Sequence, residues 1–156
     1  MTQNLPFEVL RQLRAQGRTL ATAESCTGGL IGKLLTDIPG SSEVYMGGVI
    51  SYTNGVKHRL LCVSEDTLRV YTAVSRQTAH EMARGAREAV QADIGVSVTG
   101  LAGPDGDGTG RPIGLVYIGI DMEGFSFSQE LHLTGDRAAV REQAAEAVLN
   151  LILEYA

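Results

Sequence analysis

Ser25 stands at a position in the sequence where a hydroxyl can act as a nucleophile. It follows a short β-competent segment at residues 18–23 and precedes a glycine pair, after which apolar residues recur at helical spacing. A serine at such a helix start lies among backbone amides that have no partner inside the helix, and these amides suit the oxyanion formed when a serine attacks a carbonyl. The position also suits a serine that only caps the helix, and this turn alone favours the cap.

Lys57 is the candidate base for that serine. It lies just past a strand predicted over residues 44–52, beside Tyr52 and Asn54, whereas Lys33, the only other lysine, falls within a predicted helix body. Burial can lower the pKa of a lysine from about 10.4 toward neutrality, while an arginine cannot lose its proton. Ser-Lys pairs are an established variant of the catalytic triad. Spacing alone, however, favours a solvated surface lysine.

Cys26 is the rival nucleophile, because a thiolate at a helix start can have a lowered pKa. Adjacent side chains diverge, so Ser25 and Cys26 cannot both face one substrate carbon. The three histidines, His58, His80 and His132, are scattered singly, and none pairs clearly with the cysteine. Two distant cysteines and isolated histidines do not form a metal cluster, so we expect neither a metal nor a cofactor.

Thr99 and Gly100 follow a predicted strand at residues 94–98, and a glycine-rich stretch comes after them at residues 105–110. Backbone amides in such a stretch can cradle a phosphate or a ribose. The stretch lacks the Gly-Lys-Ser/Thr ending of a P-loop, and no dinucleotide fingerprint opens a helix here. The glycines alone therefore indicate only a loop long enough to have a function.

Arg137 and Arg141 lie four residues apart at the start of the last predicted helix, on one of its faces. They can bind a phosphate together with the helix N-terminus, which attracts anions. They can equally pair with Asp136 and Glu142 on the surface. The sequence leaves both alternatives open.

The elements that position these residues follow from apolar periodicity and turn residues. A first helix is predicted over residues 7–16, ended by Gly17, and Ser75 is predicted to cap a helix that runs to residue 90. Gly47 and Gly48 lie within a strand, where they indicate either a bulge or a close approach of another backbone.

The order of elements predicts an α/β fold. Strands and helices alternate until residues 113–122 and 125–133, which form a predicted hairpin. A late hairpin implies a mixed, mostly parallel sheet between helices, in one domain over residues 1–156. The carboxyl ends of the strands form the ligand crevice of such folds, and the candidate residues fall at those ends.

Composition narrows the classes of partner. The chain has 156 residues, of which 44% are hydrophobic and 20% charged, and its net charge is −5. A negative chain without a basic patch does not suit a general nucleic-acid or membrane surface. The N-terminal residues lack the pattern of a signal peptide, and no stretch approaches 18 uninterrupted apolar residues, so we expect a soluble cytoplasmic protein.

Five runs of residues together resemble the CinA C-terminal domain family. They are TAESCTGG at 22–29, PGSS at 39–42, GGVISYTNGVK at 47–57, VTGLAGP at 98–104, and GDR at 135–137 with Arg141. These runs extend over nearly the whole chain in the family's order, and their combination is highly specific.

The resemblance implies a three-layer α/β/α sandwich with a mixed, mostly parallel sheet. It implies a nicotinamide-nucleotide amidohydrolase that converts nicotinamide mononucleotide to nicotinic acid mononucleotide and ammonia, without a metal. Ser25 is then the nucleophile and Lys57 the base, with Tyr52 and Thr99 close to the reacting groups. Homo-oligomers, most often dimers, are usual in the family, and we expect a stand-alone version without the larger N-terminal domain of full-length relatives.

The residues expected to contact the substrate lie at strand ends, in the glycine turn or at the start of the last helix: Thr27, Gly28, Gly29, Asn54, Gly100, Gly103, Arg137 and Arg141. Amides near Thr27 and Gly28, or near Gly100, are the expected oxyanion donors.

The chain departs from the family pattern at three places. Thr53 replaces a common serine, Gly55 replaces a bulkier residue, and the family's Gly-Pro-x-Gly-Gly loop with its lysine becomes residues 103–108 with Arg111. These changes leave Ser25 and Lys57 in place, but we expect them to alter the affinity for the substrate. The alternative to an enzyme is a nucleotide-binding or partner-binding domain of the same fold that lacks turnover.

Overall fold

The computed structural model describes residues 4–156. In chain order the elements are α1 Leu5–Gln16, β1 Leu20–Glu24, α2 Leu30–Thr36, a 3₁₀ turn Ser41–Glu43, β2 Tyr45–Ile50, α3 Asn54–Leu61, α4 Glu65–Tyr71, α5 Arg76–Val90, β3 Ile94–Gly100, β4 Leu115–Met122, β5 Phe125–His132 and α6 Arg137–Tyr155.

The strands form one mixed sheet in the order β2-β1-β3-β4-β5. β1 pairs in parallel with β2 and β3, whereas β4 is antiparallel to both β3 and β5. Four of the five strands in the described part of the chain therefore run in one direction. The predicted α/β fold with a mixed sheet and a late hairpin is confirmed.

Helices pack on both faces of the sheet. Leu20 belongs to an apolar cluster with residues of α1, α2 and α6, whereas its neighbour Ala21 belongs to a second cluster with residues of α3 and α5. Successive residues of a strand point to opposite faces, so the two clusters lie on opposite sides of β1.

The hairpin determines what meets at the carboxyl edge of the sheet. Because β4 reverses the chain and β5 reverses it again, β5 ends at the same edge as β1, β2 and β3. The loop between β3 and β4 and the start of α6 are thereby brought to the edge where Ser25 follows β1.

The turn residues act as predicted. Gly17 ends α1 with a φ of 65°, in the left-handed region that glycine adopts without cost. Ser75 caps α5 by accepting a hydrogen bond from the amide of Thr78. The short α4, which contains no fully buried residue, was not predicted, since it lacks an apolar face.

Gly47 and Gly48 show both features that the sequence left as alternatives. The register shifts between Leu20 and Ala21, so Met46 is an extra residue and the strand contains a bulge. A side chain at Gly48 would place its Cβ 2.1 Å from the hydroxyl of Thr22 on β1. Glycine is therefore required there by the close approach of the two strands.

Candidate active site

A cavity of about 240 Å³ lies at the carboxyl edge of the sheet. Six of the predicted site residues line it: Ser25, Tyr52, Lys57, Thr99, Gly100 and Arg137. They come from five separate parts of the chain, and the sheet topology is what brings them together.

Ser25 is held by the sheet and by the turn that follows it. Its amide donates to the carbonyl of Val98 on β3 at 3.0 Å, and its carbonyl accepts from the amide of Gly28 at 3.1 Å. Gly28 and Gly29 have φ values of 59° and 105°, a backbone conformation that suits glycine. The chain can therefore turn sharply into α2 and leave the Ser25 side chain at the cavity.

The N-cap residue of α2 is Gly29, and the amides at the start of the helix are bound by Glu24 and not by Ser25. The buried Glu24 carboxylate accepts from the amides of Ile31 at 2.9 Å and Gly32 at 3.0 Å, and from the Thr27 hydroxyl at 2.7 Å. A carboxylate at a helix start is favoured by the helix dipole. The cap interpretation of Ser25 is thus wrong, and the Ser25 hydroxyl is available for chemistry.

Sequence reasoning missed Glu24, although a signal was present. A carboxylate at the last position of an otherwise uncharged strand, shortly before a glycine turn and a helix, has few possible partners except the helix amides.

Lys57 is buried, so the prediction of a solvated lysine from spacing alone is wrong. The Thr53 side chain caps α3 by accepting from the amide of Val56 at 3.4 Å, and this start places Lys57 on the inner face of the helix. Lys57 is only 1% exposed. Its Nζ lies 2.8 Å from Ser25 Oγ and donates to the carbonyl of Ser51 at 2.6 Å.

Burial changes the acid-base behaviour of Lys57. Desolvation of the ammonium lowers its pKa from 10.5 to about 8, against a smaller opposing effect of Cys26. With this pKa about a tenth of the Lys57 side chains are neutral at pH 7 and about half at pH 8. Neutral Lys57 carries a lone pair that can accept the proton of the Ser25 hydroxyl at the observed distance.

Cys26 also reaches the cavity, but its environment opposes the thiolate. Its side chain is buried, and burial raises the pKa of the thiol from 9.0 to about 11 even though Lys57 and Arg141 act in the other direction. A thiol with this pKa is almost fully protonated at neutral pH. The physical chemistry of the site therefore favours Ser25 over Cys26.

Ala73 and Val74, which lie between α4 and α5, also line the cavity. The hydroxyl of Thr99 donates to the Ala73 carbonyl at 2.8 Å and so links β3 to this segment. Gly100 contacts β4 closely, since a Cβ there would lie 2.5 Å from the Val116 side chain. Gly100 is thus explained by packing as well as by its place at the cavity.

Arg137 and Tyr52 lie at the mouth of the cavity. Tyr52 is 60% exposed, and its hydroxyl accepts from Arg137 Nη2 at 3.1 Å. Arg137 Nη1 donates to the carbonyl of Gly103 at 2.6 Å. The structure therefore places Tyr52 at the entrance, where it binds Arg137, whereas the Ser25 hydroxyl is bound by Lys57.

Arg141 lies behind the nucleophile. Its Nε donates to the carbonyl of Cys26 and its Nη2 to the carbonyl of Thr27, both at 3.0 Å. The Asp136 carboxylate accepts from the amide of Ala139 and so caps α6. Neither arginine pairs with Asp136 or Glu142, so the alternative of pairing on the surface is wrong. Phosphate binding by the arginines stays a prediction, but the Asp136 carboxylate already caps the start of α6.

Asn54 is not at this cavity. It lines a larger, open pocket of about 500 Å³ with His58, Arg59 and residues of α4. Asn54 and His58 are one helical turn apart and share a face of α3, whereas Lys57 points inward. The predicted contact of Asn54 with the same substrate is therefore not supported by its position.

Thr27, Gly28 and Gly29 form the turn behind Ser25 and do not line the cavity. The amide of Gly28 already donates to Ser25, which removes it from the expected oxyanion donors. Among residues 4–156, no three His, Cys, Asp or Glu side chains are grouped as a metal site. No helix in that range combines the length and apolar character needed to cross a membrane.

A sequence model of the CinA C-terminal domain matches residues 2–156. The chain belongs to the CinA C-terminal domain family. This membership agrees with the sequence resemblance, and the fold of the family is supported independently by solved structures.

Two solved CinA-family structures match nearly all of the chain. The CinA superfamily protein from Escherichia coli aligns with a TM-score of 0.96 at 33% identity, covering 100% of this chain and 91% of that one. The competence/damage inducible protein CihA from Agrobacterium tumefaciens aligns with a TM-score of 0.93 at 37% identity, covering 97% of this chain and 93% of that one.

CinA relatives differ in length and in name. Nicotinamide-nucleotide amidohydrolase PncC from Enterobacter agglomerans is 49% identical over 142 residues, which is 90% of this chain and 87% of that protein. A putative competence-damage inducible protein from Halothermothrix orenii is 46% identical over 153 residues, 97% of this chain but 37% of that protein. The chain spans about a third of the length of several such relatives.

Proposed function

We propose that this CinA-family chain hydrolyses the carboxamide of nicotinamide mononucleotide to nicotinic acid mononucleotide and ammonia. The observation that carries the proposal is the contact of 2.8 Å between buried Lys57 Nζ and Ser25 Oγ in a cavity at the strand ends. The substrate is taken from the name of the PncC relative, which matches 90% of this chain.

The first half of the reaction forms an acyl-enzyme. Neutral Lys57 takes the proton of the Ser25 hydroxyl while Oγ attacks the carboxamide carbon, and the carbonyl oxygen becomes an oxyanion. Backbone amides of the Cys26–Thr27 turn or of Gly100 are the proposed donors, and one such donor is typically worth about 2.7 to 4 kcal/mol. Protonated Lys57 then gives its proton to the leaving nitrogen, so the C–N bond breaks and ammonia departs.

The second half releases the acid. A water molecule attacks the ester carbon, Lys57 accepts its proton, and the bond between that carbon and Ser25 Oγ breaks. The proton returns to Oγ, which regenerates the neutral base and the free hydroxyl. One lysine thus serves both halves without a metal or a cofactor.

Arg137 and Tyr52 are proposed to meet the nucleotide at the mouth of the cavity. The guanidinium of Arg137 is exposed there, and a planar guanidinium suits the oxygens of a phosphate. Arg141 is proposed to keep the turn after Ser25 in place and not to touch the substrate, because both of its hydrogen bonds go to carbonyls of that turn.

The experiment measures ammonia released from nicotinamide mononucleotide by the purified protein, with Ser25→Ala and Cys26→Ala assayed beside it. We expect Ser25→Ala to lose at least about 10³-fold in kcat, since it removes the nucleophile. Cys26→Ala should retain activity within about threefold, because its buried thiol is protonated at neutral pH. The converse result, an active Ser25→Ala and an inactive Cys26→Ala, would establish a cysteine amidase.

Folded wild-type protein that releases no ammonia would overturn the proposal for this substrate. The alternative, a nucleotide-binding domain without turnover, predicts that the same protein still binds nicotinamide mononucleotide in calorimetry.

A further inference from the structure

Thr72 has an unusual backbone conformation beside the cavity. Its φ is 71° and its ψ is 175°, a region that is otherwise almost confined to glycine. A β-branched residue remains in this conformation only when its surroundings hold it there. Thr72 lies directly before Ala73 and Val74, which form one side of the cavity.

Hydrogen bonds from α5 hold the carbonyl of Thr72. It accepts from the Thr78 hydroxyl at 2.7 Å and from the Ser75 hydroxyl at 3.1 Å. The Thr72 side chain has a separate set of partners. Its Oγ1 accepts from the amide of Val74 at 3.4 Å and from Arg111 Nη2 at 2.7 Å.

Arg111 reaches this segment from the loop between β3 and β4. Besides Thr72 it donates through Nη1 to the carbonyl of Val74, so one guanidinium spans both ends of the Thr72–Val74 segment. Within its own loop, Arg111 bonds Asp107 Oδ2 at 3.2 Å and Thr109 Oγ1 at 3.1 Å. These contacts orient the planar group toward the segment.

The Thr72–Val74 segment is also joined to β3, through Thr99 in the lining of the cavity. Thr99, on the strand next to the one that precedes Ser25, donates to the Ala73 carbonyl. Arg111 does not line the cavity and does not contact Ser25 or Lys57. Its influence on the cavity therefore passes through the backbone of residues 72–74.

We infer that Arg111 is a positioning residue that clamps the strained Thr72–Val74 segment as the substrate-facing side of the cavity. The inference rests on the proposed function, because its kinetic consequence concerns nicotinamide mononucleotide. Without the clamp, Thr72 relaxes toward negative φ and Ala73 and Val74 move. The substrate then binds more weakly, whereas the contact between Lys57 and Ser25 remains intact.

The test compares Arg111→Ala, Thr72→Val and the double variant. Arg111→Ala should raise KM about tenfold while kcat changes by less than about threefold, since only binding geometry is disturbed. Thr72→Val keeps the β-branched shape but removes the hydroxyl, and it should also raise KM. The effects of the two changes should be less than multiplicative in the double variant, because both changes remove the contact between Arg111 and Thr72.

Two controls separate this role from a general loss of stability. Arg69→Ala removes an arginine of α4 that is 73% exposed and pairs with Asp66, and it should leave KM unchanged. Arg111→Lys keeps the charge but lacks the planar group that reaches both Thr72 and Val74, so its KM should lie between those of wild type and Arg111→Ala. The inference would be overturned by a wild-type KM in Arg111→Ala or by multiplicative effects in the double variant. It would also be overturned if kcat fell by as large a factor as KM rose.

Amide hydrogen exchange at Val74 tests the clamp even if the proposed substrate is wrong. Exchange at Val74 should rise at least about tenfold in Arg111→Ala but not in Arg69→Ala, because only the first change releases the segment while the acceptor of the Val74 amide, Thr72 Oγ1, is kept. Unchanged exchange in Arg111→Ala would overturn the clamp whatever the substrate. If the variants show the expected exchange at Val74 but the wild-type protein releases no ammonia, only the proposed function is overturned.

Discussion

The floor and the rim of the cavity are built in different ways. The floor consists of Ser25, Lys57 and Thr99, which are 8%, 1% and 1% exposed and belong to strand ends and to α3. The rim consists of Tyr52, Arg137 and the Thr72–Val74 segment, of which Tyr52 is 60% exposed. The floor is positioned by the sheet, whereas the rim is positioned by side-chain contacts between loops.

Under the proposed function, this difference assigns catalysis to the floor and substrate recognition to the rim. A base that works by a lowered pKa must be shielded from water, and only packed strands and helices shield it that completely. Contacts to a nucleotide at an entrance need exposed donors, which loops supply. We therefore expect changes in the floor to act on kcat and changes in the rim to act on KM.

The largest effect is expected for Lys57→Met in the floor. Methionine has a similar length, so the cavity keeps its shape, but no group remains to take the proton of Ser25. Ammonia release should fall at least about 10³-fold in kcat with little change in KM. A thermal melt checks the fold, and we expect no large loss of melting temperature because burying the ammonium itself costs free energy. Residual activity near the wild-type level would remove Lys57 from the mechanism.

Smaller effects on the kinetic constants are expected for the two arginines of α6, and the two variants should differ from each other. Arg141→Ala frees the carbonyls of Cys26 and Thr27 and loosens the turn after Ser25, so kcat should fall about 10²-fold. Arg137→Ala removes an exposed guanidinium of the rim and should raise KM about tenfold with kcat nearly unchanged. Steady-state kinetics on nicotinamide mononucleotide measure both values. Equal effects of the two variants on kcat and KM would contradict the division into floor and rim.

Periodicity and turn residues were sufficient to predict the framework of the molecule. The late hairpin indicated a mixed sheet, and Gly17 and Ser75 marked the helix ends where the structure has them. These features are local, because apolar spacing and turn chemistry act over a few residues.

The Ser25–Lys57 pair could not be derived from local patterns, which favoured a cap and a solvated lysine. Whether Lys57 points inward depends on where α3 begins, and the Thr53 cap that determines this start became clear only in the structure. The role of Glu24 likewise depends on a helix that begins six residues later. The resemblance to a family, which records such long-range relations, was what identified the pair.

The clamp formed by Arg111 was beyond sequence reasoning for a different reason. Residues 105–111 have no apolar periodicity, and the partners of Arg111 lie 37 and 39 residues away. The sequence indicated only that the loop differs from the family pattern and bears on affinity. The structure shows that it contacts the segment beside the cavity.

The smallest expected effect is the change of kcat/KM with pH, which depends on Lys57 in the floor. Lys57 acts as a base only when neutral, and burial lowers its pKa to about 8, so raising the pH increases the active fraction. With one group of this pKa, kcat/KM should rise about tenfold between pH 7 and pH 9 and then level off. Arg137→Ala, a change in the rim, should lower the whole curve without moving its midpoint. A midpoint near 10.5, the ordinary value for lysine, would show that the burial of Lys57 does not produce the base.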